Sequence, residues 1–396
     1  MQKIVVEQLT KIFGKDPKKG LEMLKDGKHK DEILEEIGAT VGVNRASFTV
    51  EEGEVFVIMG LSGSGKSTLI RLVNRMIEPT AGKVYIDGEE LTAMDKETLR
   101  LARREKMSMV FQSFALFPHK TVLENAAYGL TIKSVGREEA NRRAEEALLK
   151  VGLDGYTDQY PDQLSGGMQQ RVGLARALAA DTNILIMDEA FSALDPLIRK
   201  EMQDELLILQ SEMQKTVLFI THDLNEALKL GDRIALMKDG EIVQIGTPDE
   251  LLNSPANDFV EEFVRDVDRS KILDAASVMI RPDTINISKN GPRSALMKMR
   301  STGNSSVYVV NNLRELQGVV TADDALAAVR EGNENLESIL IRDIPTASAD
   351  TQLDTLIDKI YDSKLPIAIV EGKRLKGIVI RGTVLAALAG KEVHDA

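Results

Sequence analysis

A buried-strand pattern, Val55-Phe56-Val57-Ile58-Met59, runs directly into Gly60-Leu61-Ser62-Gly63-Ser64-Gly65-Lys66-Ser67-Thr68 and then into a helical stretch, Leu69–Arg75. No other feature restricts the fold so strongly. Strand, glycine-rich loop and helix in this order are the setting in which the pattern G-x-x-x-x-G-K-[ST] grips phosphate. The glycines let the backbone curl until its N–H groups converge on phosphate oxygens, beside a helix N-terminus with partial positive charge. Gly60, Ser62, Gly63, Ser64, Gly65 and Thr68 form the cradle. Lys66 would contact the β- and γ-phosphates of a nucleoside triphosphate, and the Ser67 hydroxyl would ligate Mg²⁺. Such a loop belongs to a mostly parallel, wound sheet, and the first part of the chain alternates short apolar strands with long helical patterns as that requires.

A second apolar run, Asn183–Met187, ends in the adjacent carboxylates Asp188 and Glu189. Asp188 at a strand terminus is suited to hold Mg²⁺ through water, and Glu189 to polarise an attacking water. Two more strand patterns end in polar side chains: Met107–Phe111 runs into Gln112, and Thr216–Ile220 into Thr221 and His222. Open parallel sheets bind ligands beyond the carboxyl ends of their strands. Gly60–Ser67, Gln112, Asp188, Glu189 and His222 are therefore predicted to share one edge.

Composition removes several alternatives. Cysteine is absent from the 396 residues, which excludes disulfides, thiol catalysis and Cys-based zinc sites. The four histidines (His29, His119, His222, His394) are scattered. A net charge of −12 is unfavourable for gripping nucleic acid through its phosphates, so no nucleic-acid partner is expected. No apolar run approaches the roughly 18–20 residues needed to span a bilayer. Met1–Val6 lacks an apolar signal core, and the expectation is a protein on the cytoplasmic side. Charge also divides the chain: after residue 276 there are 15 basic and 15 acidic residues, so the −12 belongs to residues 1–276. One segment interrupts the alternation. Lys15–Ile37 is charged and helix-like, and reads as a helical insertion between a strand ending near Phe13 and the next at Ser47–Val50.

Leu164-Ser165-Gly166-Gly167-Met168-Gln169-Gln170-Arg171 precedes a helical run and then the Asp188 strand. This signature, the glutamine after a strand, the Asp-Glu pair, a Ser192-Ala193-Leu194-Asp195 turn and the histidine at 222 together resemble the ATP-binding-cassette (ABC) ATPases over about residues 1–265. Met168 stands where glutamine is commonest, and Ala190 where many relatives carry proline. Asn74-Arg75 with Ile77-Glu78-Pro79-Thr80, and the run Asp188–Arg199, look like the glycine betaine/proline betaine importer ATPases (OpuA/ProV type). The helical insertion and a C-terminal tandem of CBS modules are also similar to that group.

The resemblance implies a head-to-tail homodimer. ATP would be sandwiched between one copy's Lys66 loop and the other's Ser165, Gly166 and Gly167, a small-residue turn opening a helix. It further implies that Gln112 joins the catalytic and Mg²⁺ groups and links the nucleotide site to two membrane-spanning permease subunits. Their substrate-binding domain would be fused or separate. Asp195 would cross the dimer interface, His222 would contact the γ-phosphate, and Phe13 would stack on adenine. The implied fold is an α/β phosphate-loop ABC ATPase domain, a RecA-like core plus helical subdomain, followed by an α+β tandem CBS domain. The boundaries read as 1–268 for the ATPase (insertion about 15–40, helical subdomain about 113–176), 269–276 for a linker, and 277–333 and 334–396 for the two CBS repeats.

The C-terminal part repeats itself faintly. Val307–Val310 and Leu316–Val320 resemble Ile367–Val370 and Leu375–Val379, with Gly318 and Gly377 59 positions apart. Leu353, Leu356, Ile357 and Ile360 mark a helix face. Gly318-Val319-Val320-Thr321-Ala322-Asp323-Asp324 matches the ribose- and phosphate-contacting pattern of adenosine-binding CBS modules, whereas the second copy lacks both polar positions. Thr321 and Asp324 equally suit a helix cap. Two basic runs stand out. One holds Lys289, Arg293, Lys298, Arg300 and Arg314; the other holds Lys364, Lys373, Arg374, Lys376, Arg381 and Lys391. A surface of this kind could dock on anionic lipid and be released by salt. Cyclic di-AMP bound by the CBS pair is the other regulator the resemblance implies.

Overall fold

In the computed structural model the described residues are 1–390, except Asp266, Ile272 and Lys364. Lys364, Lys391 and His394, singled out in the sequence, therefore lie outside them. The chain divides into two compact units, Met1–Asp266 and Val267–Ala396.

The described strands of the first unit are β1 (Gln2–Phe13), β2 (Thr40–Glu51), β3 (Val55–Gly60), β4 (Ala81–Ile86), β5 (Glu89–Glu90), β6 (Met107–Phe111), β7 (Ile184–Asp188), β8 (Thr216–Thr221), β9 (Arg233–Lys238) and β10 (Glu241–Gly246). They form two sheets. Alternation builds the smaller one, β2-β1-β4-β5. Along β1, Ile4 and Val6 face inward; a bulge at Gln8, with φ +46°, then resets the register so that Leu9 and Ile12 are buried as well. β2 pairs antiparallel with β1 as far as Phe13 opposite Thr40, and is longer at both ends than the Ser47–Val50 strand read from the sequence.

The larger sheet has the order β10-β9-β3-β8-β7-β6. β9, β3, β8, β7 and β6 are parallel, and β10 turns back antiparallel on β9. Every residue of β3 and of β8 is buried, as expected for strands covered on both faces. Phe48 of β2 stacks on Phe56 of β3, 5.0 Å between centroids, which joins the two sheets through one core.

Helices of this unit are α1 (Pro17–Lys25), α2 (Lys30–Ile37), α3 (Lys66–Val73), α4 (Lys96–Lys106), α5 (Val122–Ala126), α6 (Tyr128–Ile132), α7 (Arg137–Lys150), α8 (Gly166–Ala179), α9 (Pro196–Met213), α10 (Leu224–Leu230), α11 (Pro248–Asn253) and α12 (Asp258–Val264). The expected insertion is the pair α1–α2, with its own small core of Met23, Leu24, Ile33 and Val41. The helical subdomain is α5–α8. Among the described residues no helix is long and apolar enough to cross a membrane.

The second unit holds α13 (Ala275–Val278), β11 (Thr284–Asn286), α14 (Pro292–Thr302), β12 (Ser306–Val310), β13 (Leu316–Thr321), α15 (Ala322–Arg330), β14 (Thr346–Ala347), α16 (Leu353–Asp362), β15 (Ile367–Glu371), β16 (Arg374–Val379) and α17 (Arg381–Leu388). Two three-stranded sheets, β11-β12-β13 and β14-β15-β16, repeat one design.

Segments of the two repeats cross over one another. Leu273 and Ala275, expected in a linker, are buried beside Leu353, Leu356 and Ile369 of the second copy. Ile280 bridges to Ile378, and Ile341 bridges to Val319, so each copy's leading segment pairs with the other copy's sheet. Burying those apolar side chains outweighs keeping each copy sequence-contiguous.

Candidate functional site

The phosphate loop leaves β3 at Gly60 and enters α3 at Lys66. Gly65 caps that helix with φ +101°, where a Cβ would lie 2.4 Å from the Gly42 carbonyl oxygen of β2. Only glycine fits there. Lys66 is buried; its ammonium donates to the carbonyls of Gly60 at 2.8 Å and Leu61 at 3.0 Å. Burial lowers the Lys66 pKa, and the nearby Glu189 and Asp188 charges oppose that. The Ser64 hydroxyl is buried with no hydrogen-bond partner. A polar atom buried in this way calls for an incoming partner, and phosphate oxygens at this loop would supply one. The donor set thus fits a nucleotide triphosphate.

Strand register brings the remaining groups to the same level. Met59 lies opposite Thr221, Ile220 opposite Asp188, and Asp188 opposite Phe111. Lys66, His222, Asp188, Glu189 and Gln112 accordingly lie beyond strand ends along one edge, as the sequence predicts. Glu189 has φ +47°, a strained conformation for a non-glycine residue, held by its N–H donating to the Ile220 carbonyl at 3.0 Å. One of its carboxylate oxygens lies 3.4 Å from Gln112 Nε2 and 3.2 Å from His222 Nδ1. Gln112 also donates to the Ser192 hydroxyl at 3.0 Å. Asp188 is half-buried, and burial raises its pKa, with Arg71 and Lys66 pulling the other way.

Among the described residues no group of three or more His, Asp or Glu side chains could hold a metal ion. Mg²⁺ commonly takes one or two carboxylates and completes its shell with phosphate oxygens and water. Ser67, Asp188 and Gln112 are a donor set that fits that pattern.

Other expected contributors sit in their own segments. The Ser165 hydroxyl accepts from the Met168 N–H at 3.3 Å, and Ser165 and Gly166 are exposed. Gly167 packs so tightly on Ile198 that a Cβ would come within 2.6 Å of it. Asp195 caps α9 by accepting from the N–H groups of Leu197 and Ile198. Phe13 is 40% exposed, with the Lys11 ammonium 5.2 Å from its ring centroid. Gly42 lies against that ring, and the Thr68 methyl lies on the same side of Gly42, which places Phe13 beside the phosphate loop.

Sequence reasoning did not single out Arg71 beside Asp188, or Arg199, whose guanidinium donates to the Phe191 and Leu194 carbonyls. Its position four residues after Asp195, on the same helix face, was the available signal.

The chain also resembles known proteins. Residues 43–192 match the ABC transporter family, and residues 336–390 match the CBS domain family. The glycine betaine/carnitine transport ATP-binding protein GbuA of Listeria monocytogenes is 59% identical, over 100% of this chain and 99% of its own. The glycine betaine transport ATP-binding protein OpuAA of Bacillus subtilis is 58% identical, over 99% and 94%.

The chain belongs to the ABC transporter ATP-binding proteins.

As an ABC ATPase it binds ATP and couples its hydrolysis to transport. The dimeric structure of the bacterial ABC transporter cassette MJ0796 matches with a TM-score of 0.52 at 35% identity, covering 62% of this ABC protein and 98% of that chain. The expected fold class holds in both parts.

In the CBS part of this ABC protein, the Thr321 hydroxyl donates to the Asp324 carboxylate at 2.5 Å and accepts from the Asp324 N–H at 3.3 Å. The pair therefore caps α15. Thr321 also lines a cleft of about 1210 Å³ with Arg281, Asp283, Lys298, Arg314 and Asp323. The basic runs are less free than the sequence suggests. Lys298 pairs with Asp283 at 2.8 Å and Lys376 with Glu371 at 2.7 Å, while Lys373 and Arg374 are exposed on the turn into β16.

Proposed function

We propose that this chain is the ATP-hydrolysing subunit of an importer of glycine betaine or a related quaternary-amine solute. Transport itself would run through two separate membrane-spanning subunits, with the chain bound peripherally at their cytoplasmic side. The observation that carries this reading is the full-length similarity to betaine transport ATP-binding proteins, which includes the α1–α2 insertion and the CBS part. Choline, carnitine and proline are the alternative solutes.

In this reading two copies pair head-to-tail; the dimeric cassette it resembles supports pairing as such. Lys66 and the Gly60–Thr68 backbone hold the triphosphate. Glu189 accepts the proton of the attacking water as the new oxygen–phosphorus bond forms and the bond to the bridging oxygen breaks. His222 steadies the γ-phosphate, and Gln112 reports occupancy to the membrane subunits. Ser67, Asp188 and Gln112 would hold Mg²⁺, which when bound would neutralise negative charge on the phosphates. The partner copy's signature turn, Ser165–Gly167, closes over the γ-phosphate, and Asp195 contacts the partner copy. Phe13 stacks on adenine.

The CBS part then adjusts the rate in response to ionic strength or a signalling nucleotide such as cyclic di-AMP. Exposed Lys373 and Arg374, with Lys376, support a salt-released contact with anionic lipid; the Thr321 cleft supports a nucleotide. Uptake of labelled betaine into vesicles holding the whole transporter tests the first claim. Glu189→Gln should keep ATP binding and lose turnover by about 10²-fold or more; unchanged turnover contradicts the role given to Glu189. Neutralising Lys373, Arg374 and Lys376 should move the ionic-strength threshold, and calorimetry with adenine nucleotides tests the cleft.

A further inference from the structure

The α1–α2 insertion has no part in the chemistry described so far. β1 and β2 already pair up to Phe13 and Thr40, so a tight turn could join them, and residues 14–39 are superfluous to the strand pair. Their placement shows a different use. Lys30, the first residue of α2, forms an ion pair with Asp239, in the turn between β9 and β10. The next residue of that turn, Gly240, donates its N–H to the Ser64 carbonyl of the phosphate loop at 3.0 Å. The Gly240 carbonyl in turn accepts from the Asn44 N–H of β2 at 2.8 Å, and the Asn44 side chain donates to Glu241 at 2.6 Å. Gly240 Cα lies 3.5 Å from where a Cβ on Gly65 would be. The turn is thus wedged against the loop that holds phosphate, and Asp239 adopts φ +54°, a conformation with a cost that neighbours must offset.

We propose that the insertion is a buttress for the phosphate loop, with Lys30 as the positioning residue that holds the Asp239–Gly240 turn beneath Ser64. Lys30 touches no nucleotide. It acts through Asp239, whose backbone conformation sets the direction of the Gly240 N–H and so the height of the Ser64 carbonyl in the loop. Lys30 is one-third exposed and Asp239 half exposed, so the pair is weakened by salt and its effect is modest.

The test uses the full-length chain with a fluorescent ATP analogue and steady-state ATPase kinetics. Lys30→Ala and Asp239→Asn should each weaken nucleotide binding and raise KM about two- to fivefold at low salt, with kcat changed less than twofold. Asparagine tolerates the left-handed conformation, so Asp239→Asn removes the charge without forcing the turn to refold. The double variant should be no worse than either single one, Lys30→Arg should restore wild-type affinity, and the difference from wild type should vanish near 1 M salt. Equal affinity in wild type and all variants at low salt overturns the proposal. So does a parallel loss of kcat and melting temperature that Lys30→Arg does not rescue, which would mark a merely structural pair. A wild-type chain that failed to bind the analogue would count against the ATP site itself, a separate outcome.

Discussion

Two glycines of the phosphate loop differ in one respect that can be measured. Gly63 and Gly65 both hold left-handed backbone, at φ +81° and +101°. A side chain in that region costs about 1–2 kcal/mol. A methyl group on Gly63 would meet nothing within 4 Å, so Gly63→Ala carries that conformational cost alone. On Gly65 it would lie 2.4 Å from the Gly42 carbonyl oxygen. Two backbone segments would have to separate by on the order of an ångström, and forced shifts in packed regions cost about 1–3 kcal/mol more. Gly65→Ala should therefore lower the first unit's stability by about 2–5 kcal/mol, against about 1–2 kcal/mol for Gly63→Ala. Because Gly65 caps α3 and precedes Lys66, its displacement should also weaken ATP binding at least tenfold, whatever Gly63→Ala does. Urea unfolding of the nucleotide-free chain, followed by titration with a fluorescent ATP analogue, measures both. Equal destabilisation by the two substitutions would refute the claim that the Gly42 carbonyl fixes the loop.

Three further substitutions probe other parts of the structure. Tyr308 is buried and its hydroxyl donates to the Pro366 carbonyl at 2.7 Å, joining the two CBS copies; Tyr308→Phe should lower the second unit's stability by about 1–2 kcal/mol in thermal unfolding. Leu273, 7% exposed in the core of the second copy, should cost about 2–4 kcal/mol as Leu273→Ala, whereas a linker residue would cost almost nothing. Glu226 is buried, and burial raises its pKa above the ordinary 4.5 while hydrogen bonds with Thr221 and Gln203 oppose the rise. The folded chain then holds that proton more tightly than the unfolded chain, so stability falls as pH rises from 4.5 through the raised value. Glu226→Gln should remove that slope from the pH dependence of the urea midpoint.

The polar edge of the parallel sheet was legible because one rule suffices for it. Polar residues just past apolar strands reach the same edge of a parallel sheet whatever the strand order, so Lys66, Gln112, Asp188, Glu189 and His222 could be grouped without knowing that β8 lies between β3 and β7. The antiparallel sheet was less legible, because its strands lie far apart in sequence and β1 carries a bulge at Gln8 that breaks the period of two. The contacts that cross between the CBS copies were hidden for a related reason. A repeat read along the chain assumes that each copy folds on itself, whereas Ile280 and Ile341 cross to the opposite copy. Charge counting missed one pairing: the first basic run held no acid, yet Asp283, just outside it, meets Lys298, whereas Lys376 pairs with Glu371, the one acid within the second run.

The contacts around Glu189 bear on the roles proposed for it and for His222. A single carboxylate oxygen is approached by both Gln112 and His222, at 3.4 Å and 3.2 Å. Both contacts fall on the same oxygen, and a carboxylate offers a second oxygen and about four lone-pair sites in all, so the proposed base keeps room for a water molecule. In the role proposed for His222, a γ-phosphate with several charged oxygens would be a stronger acceptor than a neighbouring carboxylate. Drawing His222 away would leave that Glu189 oxygen to Gln112 and to water. Gln112 is also tied to Ser192, in the turn that leads to Asp195. In the proposed function, a change of partners at Glu189 would therefore reach the segments after β6 and after β7 through Gln112 and Ser192.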